Sequence, residues 1–149
     1  MDTEDLLKLL KKYRVDFVII GATAMPVHGY VRASLDIDIF IRPERQNAER
    51  TLEALKAFGY DMSDVTVNDL LHKKLLIRQY EVETDIHPFV KGTNFEKIWN
   101  NKVEANFGET PVYFASLDDL IEMKKATGRP QDLQDLKYLT KLKEKGEVE

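Results

Sequence analysis

The segment Leu35-Asp36-Ile37-Asp38-Ile39-Phe40-Ile41 sets two aspartates two residues apart inside an otherwise apolar run. Side chains alternate across a β-strand, so Leu35, Ile37, Ile39 and Ile41 share one face while Asp36, Asp38 and Phe40 share the other. Aspartate is a poor strand former, and two such charges side by side raise each other's pKa unless a positive group lies between them. The segment Val82-Glu83-Thr84-Asp85-Ile86-His87 repeats the pattern, with Glu83, Asp85 and His87 on one face. If the two strands pair, Asp85 meets Asp36 and Asp38. Three carboxylates with water and phosphate oxygens make a set that suits Mg2+, or two ions that together serve phosphoryl transfer. The ordinary alternative is a solvated face on an edge strand, and spacing alone leaves both readings open.

The surrounding chain supplies the other elements of a mixed domain. An amphipathic helix is expected over Thr3 to Tyr13, and a buried strand over Val15 to Ile20. Gly21 breaks that strand, and Ala22 to His28 forms a short helix ending at Gly29. Pro43 is expected to open a helix running to about Phe58, with Gly59 as its stop. Lys74 to Arg78 pairs with Val82 to His87 across a turn at Gln79-Tyr80-Glu81, and the stretch from Tyr60 to Leu70 has no clear pattern. A short helix follows at Phe95 to Asn100, then a hairpin turning at Gly108-Glu109. Ser116 caps a helix from Leu117 to about Thr127, and Pro130 starts a last helix to about Lys143. No linker, repeat or low-complexity tract interrupts the sequence, so residues 1–149 are expected to form a single α/β or α+β domain, a mixed β-sheet flanked by helices.

Composition narrows the chemistry. The chain has 149 residues, no cysteine and three histidines, which removes disulfides, thiolate metal sites and a typical zinc cluster. A hydrophobic content of 43% is enough for a real core. The net charge of -4 argues against broad, non-specific nucleic-acid binding, while leaving room for a small nucleotide in a local site. No apolar run approaches the roughly 20 residues of a membrane helix, and acids crowd the N-terminus where a signal peptide would be basic. A cytoplasmic protein without membrane attachment is expected. Gly21-Ala22-Thr23, between strand and helix, offers backbone N–H groups and a hydroxyl to an anionic phosphate. Taken alone, it reads as a plain strand-to-helix turn.

Together, Gly21-Ala22-Thr23-Ala24-Met25 and Arg32-Ala33-Ser34-Leu35-Asp36-Ile37-Asp38-Ile39 resemble the nucleotidyltransferase superfamily that includes DNA polymerase beta and kanamycin nucleotidyltransferase. The likeness is greatest to its small bacterial and archaeal members, some of which act as toxins of toxin–antitoxin or abortive-infection systems. Lys124, Arg129 and Asp132-Leu133-Gln134-Asp135-Leu136 resemble the same group's C-terminal block. Where relatives carry Gly-Ser or Gly-Gly at the phosphate turn, this chain has Gly21-Ala22, leaving Thr23 to supply any hydroxyl.

The resemblance implies a nucleotidyltransferase fold and transfer of a nucleoside monophosphate from a nucleoside triphosphate to a hydroxyl acceptor, with release of pyrophosphate. It implies Asp36, Asp38 and Asp85 as catalytic and Mg2+-binding residues. Gly21, Ala22, Thr23, Arg32, Ser34, Lys124 and Arg129 would bind the nucleotide. Asp132 and Asp135 suit a helix start and are read as mainly structural, positioning Lys124 or Arg129. His28 and His72 are read as structural, and so is His87, although it shares a face with Asp85. The acceptor is left open among tRNA, protein and a small molecule. Two rival readings remain, a catalytically silent nucleotide- or partner-binding protein of the same fold and a tRNA-modifying toxin that uses a basic patch at Arg129, Lys137, Lys141 and Lys143. So short a chain leaves little room for a separate substrate domain, so acceptor recognition is expected to draw on an antitoxin-like partner or a homodimer.

Overall fold

A computed structural model describes residues 2–30 and 36–148. Six strands form one mixed sheet in the order β3-β4-β2-β1-β6-β5. They are β1 (Phe17–Ile20), β2 (Asp36–Ile41), β3 (Leu75–Ile77), β4 (Glu83–His87), β5 (Val103–Phe107) and β6 (Thr110–Phe114). β1 runs antiparallel to β2, β2 runs parallel to β4, and two antiparallel hairpins, β3–β4 and β5–β6, close the edges. The expected mixed α/β architecture is therefore present, and both hairpins turn where the sequence placed them.

Helices α1 (Thr3–Lys12), α2 (Arg45–Phe58) and α3 (Val67–His72) lie together on one side. Tyr60, just past α2, hydrogen-bonds Thr84, which marks this as the face carrying Ile37, Ile39 and Ile86. On the opposite face Phe95 of α4 (Phe95–Asn101) meets Phe40 edge to face, with ring centroids 5.3 Å apart. Helices α5 (Leu117–Thr127) and α6 (Pro130–Val148) pack against each other and complete the chain.

The helix ends follow the chemistry of their residues. Asp2 and Asp5 form a reciprocal capping box on α1, and Ser116 accepts from the Asp119 N–H at the start of α5. Gly59 and Gly128 stop α2 and α5 in the left-handed conformation, as expected of glycine just past a helix. Two expectations need correction. α2 begins at Arg45, so Pro43 precedes the helix rather than opening it. The cause lies in Asn47, whose side-chain amide donates to the backbone oxygens of Asp16 and Arg42 and whose side-chain oxygen accepts from the Asp16 N–H. That clamp fixes the approach to α2 from outside the helix. The stretch 60–70, which showed no pattern, contains the start of α3, set by a Thr66–Asp69 capping box too short to leave a periodic signal.

Candidate active site

The parallel pairing of β2 and β4 puts Asp38 beside Asp85, Asp36 beside Glu83 and Phe40 beside His87. All six side chains therefore share the sheet face opposite Ile37 and Ile39. Asp36, Asp38 and Asp85, separated by up to 49 positions in sequence, meet on the floor of a cleft of about 680 Å³. Gly21 and Ala22 line the same cleft, as do Lys124, Thr127 and Arg129 from the α5–α6 corner. Phe89, Val90 and Lys91 form the opposing lip, just beyond β4.

Register explains how the glycine turn reaches the acids. β1 pairs with β2 so that Ile20 stands opposite Asp38, and the chain leaves β1 at the next residue. Gly21 opens a 3-10 segment, Gly21–His28, with φ of +70°. A Cβ there would sit 2.5 Å from Asp38 Oδ2, a distance real Cβ atoms do not reach. Gly21 thus serves both a left-handed backbone and a close approach to a carboxylate. Gly21→Ala is expected to push Asp38 aside and to add about 1–2 kcal/mol of backbone strain. Activity should fall far more than melting temperature, which parallel assays of turnover and thermal unfolding would check.

The electrostatics are those of crowded acids. Burial pushes the Asp36 carboxyl above its ordinary pKa, and the charges of Asp38 and Asp85 push it further the same way. Arg78 opposes this. Its Nη1 donates to Asp85 Oδ1 at 2.7 Å, and its guanidinium lies 3.7 Å from both Asp36 Oδ2 and Glu83 Oε2. His87 Nε2 lies 2.8 Å from Asp38 Oδ1. Asp38, Asp85 and His87 each offer one ligand atom, all within 4.8 Å of one another. Two carboxylates and an imidazole so close could hold a divalent cation.

Lys124 does not reach into solvent. Its Nζ sits 3.1 Å from Asp132 Oδ1 and 3.3 Å from Asp135 Oδ2, with side chains 11%, 1% and 0% exposed respectively. Asp132 also takes Arg129 Nε at 2.7 Å and the Thr127 hydroxyl at 2.6 Å, and Tyr30 donates to Asp135. The two acids are therefore buried anchors of the cleft wall and not merely helix-start residues. Thr23 directs its hydroxyl at the Asp36 carbonyl over 3.4 Å, long for an O–H donor. Arg32 and Ser34 lie outside the described residues.

His28 holds the Ala115 carbonyl and His72 the Asn68 carbonyl, both structural contacts. His87, read from sequence as structural, lies with the acids, on the face strand parity gives it beside Asp85. Arg78 was missed. Leu76 pairs with Asp85 across the β3–β4 hairpin, so Arg78, two residues on, returns to the acidic face by parity alone. Of the basic patch, Arg129 is paired with Asp132 and Lys143 with Asp118 at 2.9 Å.

Comparison with known proteins bears on these features together. The family described as "Nucleotidyltransferase of unknown function (DUF6036)" matches residues 2–144. No curated protein matches the chain by sequence. Among solved structures, the lincomycin-bound lincosamide antibiotic adenylyltransferase LnuA superposes with a TM-score of 0.64. That similarity covers 95% of this chain and 98% of the other at 17% identity, so the two share a fold.

Proposed function

The chain belongs to the DUF6036 nucleotidyltransferases, and from that premise we propose that the cleft over β2 and β4 transfers a nucleoside monophosphate from a nucleoside triphosphate to a hydroxyl acceptor. The observation that carries this reading is the meeting of Asp36, Asp38 and Asp85 beside the backbone of Gly21. Asp36, Asp38 and Asp85, with His87 beside them, would hold divalent cation. When bound, such an ion offsets phosphate charge and orients the nucleotide.

The chain's own groups divide the remaining work. The 3-10 segment has no side-chain cap at its start, which leaves backbone N–H groups for phosphate oxygens, and the Thr23 hydroxyl would have to turn from the Asp36 carbonyl to join them. Lys124, held by its two aspartates, and Arg129, whose side chain is largely exposed, would steady the phosphates from the opposite wall, a role the family resemblance extends to Arg32 and Ser34. The acceptor oxygen attacks the α-phosphorus, an O–P bond forms, and the bond from that phosphorus to the β-bridging oxygen breaks. Pyrophosphate leaves, and the acceptor's proton passes to Asp85, the buried acid of the set.

The acceptor follows less directly. LnuA is a lincosamide adenylyltransferase, and its shared fold makes a small hydroxylated molecule one candidate acceptor. The tRNA alternative needs a basic surface, and the ion pairs at Arg129 and Lys143 reduce the one available. An antitoxin-like partner or a homodimer stays the second route by which the acceptor could be recognised. The test is Mg2+-dependent pyrophosphate release from each nucleoside triphosphate, alone, with total tRNA, and with pooled small hydroxylated metabolites. Release stimulated by one acceptor class, and absent in Asp36→Asn/Asp38→Asn, is expected. Binding of nucleotide with no release in any arm would favour the catalytically silent alternative.

A further inference from the structure

We propose that Arg78 is the resident counter-ion of the acidic cleft and exchanges with the divalent cation for Asp85 and Asp36, so that it sets the cation affinity of the site. The inference rests on the metal-dependent reading above. It concerns a residue which that reading does not use.

Three observations point this way. The first is the pairing itself. The Asp85 side chain is 6% exposed, and Arg78 Nη1 donates to its Oδ1 at 2.7 Å. A buried carboxylate needs a hydrogen-bonded positive partner, and among the described residues Arg78 is the one bonded to Asp85. The second is placement. Arg78 reaches Asp36 and Glu83 as well, so one guanidinium spans three acids. The compact ligand group consists of Asp38, Asp85 and His87, with Asp36 outside it. The third is freedom to leave. Arg78 is 40% exposed and lies just past the end of β3, an edge strand of only three residues. Besides its acids it donates to the Ile77 carbonyl, and its partly exposed side chain can swing from there towards water.

Exchange follows from the charges. A guanidinium held on Asp85 and a cation seated on the same carboxylate repel each other across a few ångströms. Without metal, Arg78 offsets the crowded negative charge and holds Asp85 by its hydrogen bond. With metal, the ion takes over that role and Arg78 is displaced towards the cleft rim.

The experiment is titration of the full chain with Mn2+ at pH 8, followed by calorimetry and by the electron paramagnetic resonance signal of free Mn2+, for wild type, Arg78→Met and Arg78→Lys. Arg78→Met is expected to bind Mn2+ about tenfold more tightly, the scale of effect of one unit charge a few ångströms away under partial screening. It should also melt at a lower temperature than wild type without metal and regain that loss at saturating Mn2+. Arg78→Lys keeps the charge and should stay near wild type in affinity, which guards against an unfolded Met variant. Equal or weaker Mn2+ binding by a folded Arg78→Met would overturn the exchange while leaving the metal site intact. No Mn2+ binding by wild type or either variant would overturn both the exchange and the metal-dependent reading on which it rests.

Discussion

Lys124→Met is expected to cost about 3–5 kcal/mol of stability, because it strips the cation from two buried carboxylates at once. Asp132 and Asp135 are 1% and 0% exposed, and Lys124 is the ammonium within 3.3 Å of both. For a chain of this length each kcal/mol lowers the melting temperature by about 2–4 °C, so a fall of roughly 6–20 °C should appear in thermal unfolding. Asp132 keeps Arg129 and Thr127, and Asp135 keeps Tyr30 and Gln131, which places the loss towards the lower end. Lys124→Met/Asp135→Asn should recover part of the deficit, since it removes one stranded charge along with its partner.

The same network has a pH signature. Burial pushes the Asp132 carboxyl up, but hydrogen bonds from Arg129, Thr127 and Lys124 outweigh it and hold the group well below the usual carboxylate range. A carboxyl depressed in the folded state stabilises the protein above its unfolded pKa, near 4, and loses that contribution as pH falls towards the folded value. The stability gap between wild type and Asp132→Asn should therefore be full at neutral pH and narrow below about pH 4. A gap independent of pH would mean the ion pairs contribute nothing.

The largest effect on activity is expected from Asp38→Asn. Asp38 stands between the two halves of the site. It pairs in register with Ile20 at the start of the phosphate turn and with Asp85 on β4, and it contacts His87. Asn keeps the shape and loses the charge that would hold a cation. Turnover should drop by about three orders of magnitude or more, the scale seen when a group acting on the reacting phosphates is removed. Stability should hold or rise, because Asp38 lies among like charges that already raise the pKa of Asp36. Loss of folding in step with activity would instead make Asp38 a structural residue.

Much of this candidate site is legible in the sequence, for one physical reason. A strand has a period of two, so Asp36 and Asp38 had to share a face, and so did Asp85 and His87. What parity cannot give is the neighbour of each strand. The meeting of Asp38 with Asp85 depends on β2 and β4 pairing in parallel across more than forty intervening residues, and only the fold supplies that register. Arg78 was hidden for a related reason, since its role depends on the β3–β4 hairpin register and on the length of one flexible side chain. Lys124 continues the helical stripe of Leu117, Leu120 and Ile121, yet it neither snorkels to water nor lies free in the cleft. It is buried because α6 returns two aspartates against it, a tertiary fact with no local signature. Pro43 shows the limit of local rules in the other direction. Proline suits a first helical turn, but the clamp of Asn47 on Asp16 and Arg42 sets the start of α2 two residues later.

The most direct test of the transfer chemistry is to follow the phosphates. The protein would be incubated with Mg2+, the acceptor class that stimulates pyrophosphate release, and nucleoside triphosphate labelled at either the α or the γ phosphorus. The account predicts that α label enters the acceptor, that γ label leaves in pyrophosphate, and that Asp38→Asn abolishes both. Appearance of γ label on the acceptor, or α label transferred equally well by Asp38→Asn, would contradict a nucleotidyl transfer site built on these carboxylates.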